Sequence, residues 1–310
     1  MSDVRVRPLE ERDLAEAERI FRLAFGTFLR VPDPLAFSGD AAFVRARFLA
    51  NPDAAFAAVG DGAVIGSNFA TSWGSVGFFG PLSVRPDLWD RGVGRKLLEP
   101  VMDCFERWGT RHAGLYTFAE SAKHVGLYGH YGFHPRFLTA VMSKAPAPSG
   151  TARWSCFSEK ASAGALADCR AIAEALYDGL DLTAEIRAVA AHGFGDTVLV
   201  ADGEGVVAFA VCHVGAGTEA GGGQCFVKFG AVRPGSKASA RFDRLLDACE
   251  AFAAMRGVGT VMAGTNLARE RAYRQMLARG YRTSLQGVAM HRPNEAGYSR
   301  PDVFAIDDWR

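Results

Sequence analysis

A shift of 148 residues lays the middle of this chain onto its end. Ser83-Val84-Arg85-Pro86 falls on Ala231-Val232-Arg233-Pro234, Leu97-Leu98 on Leu245-Leu246, Gly109 on Gly257, Thr117 on Thr265, Gly132-Phe133 on Gly280-Tyr281, and Met142 on Met290. One match is chance. An ungapped register kept over about 60 residues is a duplication, so whatever the first half folds into, the second must fold into as well. The 310 residues suit two units of about 150 each, and the proline- and small-residue-rich stretch from Ser143 to Thr151 marks the joint. The expected division is a domain at 1–143, a linker at 144–152 and a second domain at 153–310.

Each half repeats one local order. A short strand (Val4 to Arg7; Trp154 to Ser158) precedes a helical pattern (Asp13 to Ala24; Ala161 to Tyr177). A second helix follows, then two strands joined at Asp61-Gly62 and again at Asp202-Gly203, the residues a tight hairpin turn requires. A strand ending in Val-Arg-Pro leads into a long helix. In the first half that helix carries Val93, Leu97, Leu98, Val101, Met102 and Phe105 at the spacing of one helical face. A strand (His112 to Phe118), a helix (Ala122 to Tyr131) and a closing strand through Met142 complete the unit. Strands alternating with helices predict an α/β or α+β fold, a mixed sheet flanked by helices, built twice. The second half inserts a glycine-rich loop, Gly215 to Gly223, expected to be exposed and mobile.

Charge narrows the function classes. Thirty-five basic residues face thirty-four acidic ones, a formal net charge of +1, and no basic run points to nucleic acid or an anionic membrane surface. No apolar stretch approaches the roughly 20 residues that span a bilayer, and Met1 to Glu10 is charged where a secretory signal would be apolar. The six cysteines never form a Cys-x-x-Cys pair, which fits buried thiols in a reducing cytoplasm rather than disulfides or zinc. His112, His124, His130 and His134 lie close in sequence but at no recognised ligand spacing, so no metal is expected.

One segment carries chemistry. After the strand around Gly77-Phe78-Phe79-Gly80-Pro81-Leu82-Ser83-Val84 comes Trp89-Asp90-Arg91-Gly92-Val93-Gly94-Arg95-Lys96 and then the long helix. Glycines at such a turn let successive N–H groups point inward, and the helix N-terminus adds partial positive charge, a device for holding phosphate. Arg91, Arg95 and Lys96 add positive charge around it. A dinucleotide fold would want a third glycine where Leu97 stands, and a nucleoside-triphosphate loop would want Gly-Lys-Ser/Thr. A plain tight turn is the remaining alternative.

This strand, turn and helix resemble the pyrophosphate-binding motif of the GNAT superfamily of N-acetyltransferases, usually written Arg/Gln-x-x-Gly-x-Gly/Ala, with Trp89 at its first position in place of Arg or Gln. The downstream signature is matched by Leu127-Tyr128-Gly129-His130-Tyr131-Gly132-Phe133, with Ser121 where the family favours Asn and His124 where it favours Ala. The resemblance covers residues 3 to 142 and, more loosely, 153 to 293. It implies tandem GNAT-like domains, each with a splayed sheet, and acetyl-CoA as co-substrate. It also implies direct acetyl transfer to a primary amine of a small molecule or peptide. By position, the backbone of Leu82, Ser83 and Val84 would meet the pantetheine arm. Asp90, Arg91, Gly92, Val93, Gly94 and Arg95 would hold the pyrophosphate. Ser121 would sit near the arm and Tyr128 near the thioester sulfur, as the acid for the departing thiolate.

Some relatives place a basic Glu on the central strand, but Gly77 to Val84 has no ionisable side chain. Glu120 is the nearest candidate base in sequence, and equally a cap for the helix that follows. The acceptor pocket is expected around Phe25 to Phe37, with Asp33 or Asp40 attracting a cation.

The same shift carries Gly92 and Gly94 onto Ala240 and Phe242, and Tyr128 onto Met276. The second half therefore keeps the fold pattern and loses the chemistry. It is left to buttress the first half, complete its acceptor cleft or form a homodimer. Its last residues, Pro301 to Arg310, carry an apolar stretch fit to add a strand to a neighbouring sheet. Two other readings remain: a non-catalytic acyl-CoA sensor, and an aminoacyl transferase of the tandem type, which would want a basic tract for RNA.

Overall fold

The structure, a computed structural model, describes residues 4–148, 150, 153–159, 163–203 and 205–310. The first half runs β1 (Arg5–Pro8), α1 (Leu14–Phe28), α2 (Phe43–Ala50), β2 (Ala55–Gly60), β3 (Ala63–Trp73), β4 (Val76–Phe79), β5 (Ser83–Val84), α3 (Val93–Arg107), β6 (His112–Thr117), α4 (Ala122–Gly129) and β7 (His134–Lys144). The second runs β8 (Trp154–Cys156), α5 (Ala163–Leu176), α6 (Thr183–Ala191), β9 (Gly195–Asp202), β10 (Gly205–Gly215), β11 (Gly221–Val232), α7 (Ala238–Met255), β12 (Thr260–Asn266), α8 (Glu270–Ala278), β13 (Arg282–Arg292) and β14 (Ala305–Ile306). The mixed α/β architecture read from the repeat is present, and the shift lays both ends of β7 onto both ends of β13.

Local chemistry accounts for the elements. Asp61 and Gly62 both take positive φ, 51° and 80°, the geometry a two-residue hairpin needs. Across the corresponding turn Asp202 pairs with Gly205, and residue 204 lies outside the described residues. Period-two alternation splits β2 between two layers. Ala55 and Ala57 face Ile20, Phe21 and Val44 of α1 and α2. Phe56 and Ala58 face Leu97, Leu98 and Val101 of α3. All six apolar positions read for the α3 face are buried.

The strands join in one sheet of order β1-β2-β3-β4-β6-β13-β7-β12-β11-β10-β9-β8, with β5 on β3 and β14 on β11. This order contains an exchange that no local pattern announced. The closing strand of the second half, β13, lies antiparallel to β6 of the first, from Val288↔Thr117 to Arg292↔Ala113. The closing strand of the first half, β7, lies antiparallel to β12 of the second, from Val261↔Lys144 to Asn266↔Thr139. The two exchanged strands pair with each other. Of the expected linker, Lys144 closes β7. Its ammonium and the Ala147 N–H are both held by Glu250, at 2.6 and 3.0 Å. Residues 149, 151 and 152 lie outside the described residues.

The glycine-rich loop is not the exposed segment that its composition suggested. Thr218, Glu219 and Ala220 are buried because the α1–α2 connection takes up the loop backbone. Ala42 N–H donates to Thr218 O (2.9 Å), Gly217 N–H to Asp40 O (3.0 Å) and Gly222 N–H to the Asp40 carboxylate (2.6 Å). The loop thereby carries Glu219 to Arg47 of α2 (2.8 Å) and Lys228 of β11 (2.8 Å), and Lys228 also reaches Glu185 of α6 (2.8 Å).

A second polar pair sits on the exchanged seam. His112 of β6 and His291 of β13 approach at 3.2 Å between Nε2 and Nδ1, and His291 Nδ1 lies 3.0 Å from the Glu295 carbonyl. Burial, with the Arg136 charge behind it, lowers His112 to about 4. Burial and the facing ring lower His291 to about 3. Both rings are thus neutral when folded, while the unfolded chain protonates them near 6.5. The unfolded state takes up more protons as pH falls, so their contribution is intact above pH 6.5 and lost on the way to about 4. Urea unfolding should show a loss on the order of 5 kcal/mol from the two rings between pH 7 and pH 4.5. A flat curve over that range would mean the rings are not held neutral.

Candidate active site

The first half opens where β4 ends. β4 pairs parallel with β6 only from Val76↔His112 to Phe78↔Gly114. Gly80 then takes φ 135°, Pro81 offers no N–H, and the chain returns to β3 alone at Ser67↔Ser83 and Gly66↔Val84. A notch is left between residues 81–84 and the Leu115–Thr117 end of β6, and among the described residues no strand pairs with the 81–84 edge. Ser83 is buried with its hydroxyl 3.2 Å from that of Ser67, Val84 is buried, and Leu82 is partly exposed.

The turn lies beside this notch. Asp90 and Gly92 both have positive φ, 62° and 80°, reversing the chain so that α3 begins at Val93 and aims its first N–H groups outward. Gly92 O accepts from Arg95 and Lys96. Among the described residues the N–H groups of Gly92, Val93 and Gly94 meet no acceptor. A Cβ on Gly94 would stand 3.7 Å from both Leu82 and Leu127, an ordinary contact. The chain's own packing therefore does not demand glycine there; its absence of side chain keeps a path open between those two leucines.

Trp89, the departure from the family motif, donates from Nε1 to Val84 O at 2.8 Å and ties β5 to the turn. Its ring lies 5.5 Å from the Lys123 ammonium, which pairs with Asp90 at 2.7 Å. The turn is thus fastened to the start of α4. Arg91 and Arg95 are exposed beside it. Lys96 is not part of the cluster its position suggested, since its ammonium donates to Val4 O at 2.6 Å, toward β1.

Ser121, rather than Glu120, caps α4, accepting from His124 N–H at 3.4 Å. Glu120 is exposed in the preceding turn. Tyr128 is buried with its ring edge-on to Phe79, the last residue of β4, at 5.5 Å. Burial pushes its phenol well above the ordinary range. Tyr131 donates to Arg95 O at 3.0 Å, joining the end of α4 to α3. The structure therefore brings Leu82, Gly94 and Leu127 together, ties Asp90 to Lys123 at the start of α4, and packs Tyr128 on Phe79.

On the opposite face of β6, Phe25, Phe28 and Phe118 pack together with His124. Asp33 caps its own turn by accepting from Leu35 N–H at 3.1 Å, and Asp40 is spent on the glycine-rich loop. Both residues are exposed. Residues the sequence did not single out stand here too. Tyr116 lies on this face, its hydroxyl buried and without a hydrogen-bond partner among the described residues. Burial raises its phenol, with the Asp308 and Glu120 charges adding to the effect. Tyr116 was detectable only as part of the alternation of β6; nothing local foretold that Asp308 arrives beside it.

Known proteins share this fold. Residues 17–133 match the family described as Acetyltransferase (GNAT) family. Three solved structures align over nearly the whole chain. A candidate acetyltransferase from Pyrococcus horikoshii is 12% identical, with TM-score 0.69 over 100% of this chain and 96% of that one. A GCN5-related N-acetyltransferase from Sphaerobacter thermophilus is 15% identical, with TM-score 0.58 over 93% and 95%. A tandem GNAT protein from the clavulanic acid biosynthesis pathway is 13% identical, with TM-score 0.56 over 93% and 98%. At these identities the likeness is one of fold. No curated protein matches the chain. Among the described residues no helix is long and apolar enough to cross a membrane.

Proposed function

We infer that this tandem GNAT protein, whose first half carries the family's acetyltransferase domain, moves an acetyl group from acetyl-CoA to a primary amine of a small molecule or peptide. The observation that supports the reading most is the convergence of an unpaired strand edge, an uncapped helix N-terminus and the Leu82–Gly94–Leu127 passage on one opening. We take residues 1–143 as the catalytic unit and 153–310 as the degenerate copy.

In this reading the N–H groups of Gly92, Val93 and Gly94 hold the pyrophosphate, with Asp90 in the turn that presents them and Arg91 and Arg95 adding charge. The edge at Leu82, Ser83 and Val84 receives the pantetheine arm beside Ser121. The amine approaches from the aromatic face of β6, where positioning supplies much of the rate. Its nitrogen attacks the thioester carbon, the C–S bond breaks as the tetrahedral intermediate collapses, and the ammonium proton passes to Glu120. Tyr128 donates a proton to the departing thiolate. A phenol kept neutral by burial is fit to donate and unfit to act as base.

Titration calorimetry with acetyl-CoA should give one site per chain. Gly94→Phe should weaken binding on the order of 100-fold or more, about 3 kcal/mol, while Gly94→Ala, which fits the space and favours helix, should leave stability unchanged or raised. Two equivalent sites, or normal binding by Gly94→Phe, would overturn the assignment. Tyr128→Phe should lower kcat on the order of 10²-fold with acetyl-CoA affinity kept. Because the phenol titrates so high, the alkaline limb of the rate profile below pH 10 should be the same in both enzymes. An unchanged kcat would remove Tyr128 from the chemistry.

A further inference from the structure

The second half has a notch of its own. β11 pairs parallel with β12 from Gln224↔Thr260 to Val227↔Ala263 and then parts from it, as β4 parts from β6 at the positions 148 residues earlier. Where the first notch is open, the second is filled by the chain's own last segment. β14 lies antiparallel on β11, Ala305 opposite Ala231 and Ile306 opposite Gly230. Gly230 and Ala231 are the repeat partners of Leu82 and Ser83.

The correspondence extends around the notch. Phe242, the partner of Gly94, is fully buried and packs on Phe304 with ring centroids 5.4 Å apart. Arg269, the partner of Ser121 and the cap residue of α8, donates to Ala305 O at 3.3 Å and to both Asp307 oxygens at 3.0 Å. Thr265 of β12 donates to the same Ala305 carbonyl at 3.4 Å, so the segment is gripped from both walls. Tyr298 donates to Asp307 at 2.7 Å. Residues 304–309 are all buried. An unpaired strand edge in a buried notch leaves backbone groups without partners, which folded proteins do not tolerate without water, ligand or chain to fill it.

We propose that residues 304–307 are a built-in occupant of the second half's cofactor notch, taking with a peptide backbone the place that the pantetheine arm takes in the first. This rests on the proposed cofactor path through the first half. The three substitutions are then one adaptation. Phe242 fills the pyrophosphate approach and supplies a ring for Phe304. Gly230 stands where a Cβ would just touch Ile306, at 3.4 Å, so the further atoms of a leucine such as Leu82 would run into that side chain. Arg269 neutralises Asp307. The second half is complete without nucleotide, and its strand edge is closed to acyl-CoA for as long as the chain is folded.

Hydrogen exchange on the full-length protein, with and without acetyl-CoA, tests this. Amides of 304–307 should exchange at least about 100-fold slower than an unpaired segment and be indifferent to acetyl-CoA, while 82–95 slow down when it is added. Arg269→Gln should speed exchange at 304–307 by about tenfold or more and leave the acetyl-CoA effect at 82–95 in place. Fast exchange of the segment in the native protein, or its release by acetyl-CoA, overturns the proposal. A protected segment with no acetyl-CoA effect at 82–95 instead sinks the reading of the first half, and with it the cofactor meaning given to the segment.

Discussion

Residues 1–143 expressed without the rest of the chain will not form a folded domain and will bind no acetyl-CoA. In the full chain β7 is flanked by β13 on one side and β12 on the other, both from the second half. Cutting the chain strips both partners from β7 and uncovers the edge of β6 that β13 had closed. The core beneath is breached as well, because Val288 and Met290 of β13 pack with Leu97, Leu115 and Tyr128. Exposed strand edges flanked by apolar surface aggregate. Size-exclusion chromatography and circular dichroism of the fragment should show aggregate or an unfolded chain, and co-expression with residues 144–310 should restore a soluble complex with one acetyl-CoA site. A monomeric fragment that unfolds cooperatively would show that each half can close its sheet with its own last strand.

Replacing Arg47 with Met should cost on the order of 3–5 kcal/mol in urea unfolding, a far larger effect than any surface ion pair. Arg47 is nearly inaccessible in α2, yet its guanidinium pairs with Glu219 at 2.8 Å, reaches the Arg310 carbonyl and lies 5.0 Å from the Phe78 ring. Burial pushes Glu219 up, and the Arg47 and Lys228 charges override it, leaving the carboxyl at about 2. Burial likewise opposes ionisation of Glu185, and Lys228 with His213 holds that group well below the usual carboxylate range. Two cations and two anions therefore balance in the interior, and Arg47→Met leaves an anion uncompensated. The double variant Arg47→Met/Glu219→Leu should recover much of the loss, since an apolar pair carries no desolvation cost. Equal losses in the single and double variants would mean that packing, not charge, is what Arg47 supplies.

The α3 face, the Asp-Gly turn of the first half and the repeat itself were legible because each depends on residues a few positions apart, or on one rigid shift. Tyr128 and the Gly92-Val93-Gly94 turn could be named from motif order alone, and their neighbours, Phe79 and Leu82, follow from the strand they were placed against. What could not be read depends on partners far along the chain. The β6–β13 and β7–β12 pairings satisfy the same period-two pattern that pairing within each half would have satisfied. Glu219 looked like a loop residue because glycine-rich composition reports backbone freedom and says nothing of the Asp40 carboxylate that takes the loop up. The groups whose hydrogen bonds Asp33 and Asp40 accept, Leu35 N–H and Gly222 N–H, are brought to them by backbone geometry that no spacing rule contains.

The exchange of closing strands also sets a timetable for synthesis. At about 5–20 residues per second, β6 leaves the ribosome on the order of ten seconds or more before β13 is made, and until then its open edge has no mate. The β6–β13 pairing spans more than half the chain, so it raises the contact order and slows the last folding step. Nascent chains with a waiting edge would meet each other before they meet their own ends. Chaperone occupancy on ribosome-bound chains should peak after β7 emerges and fall once β13 has cleared the exit tunnel.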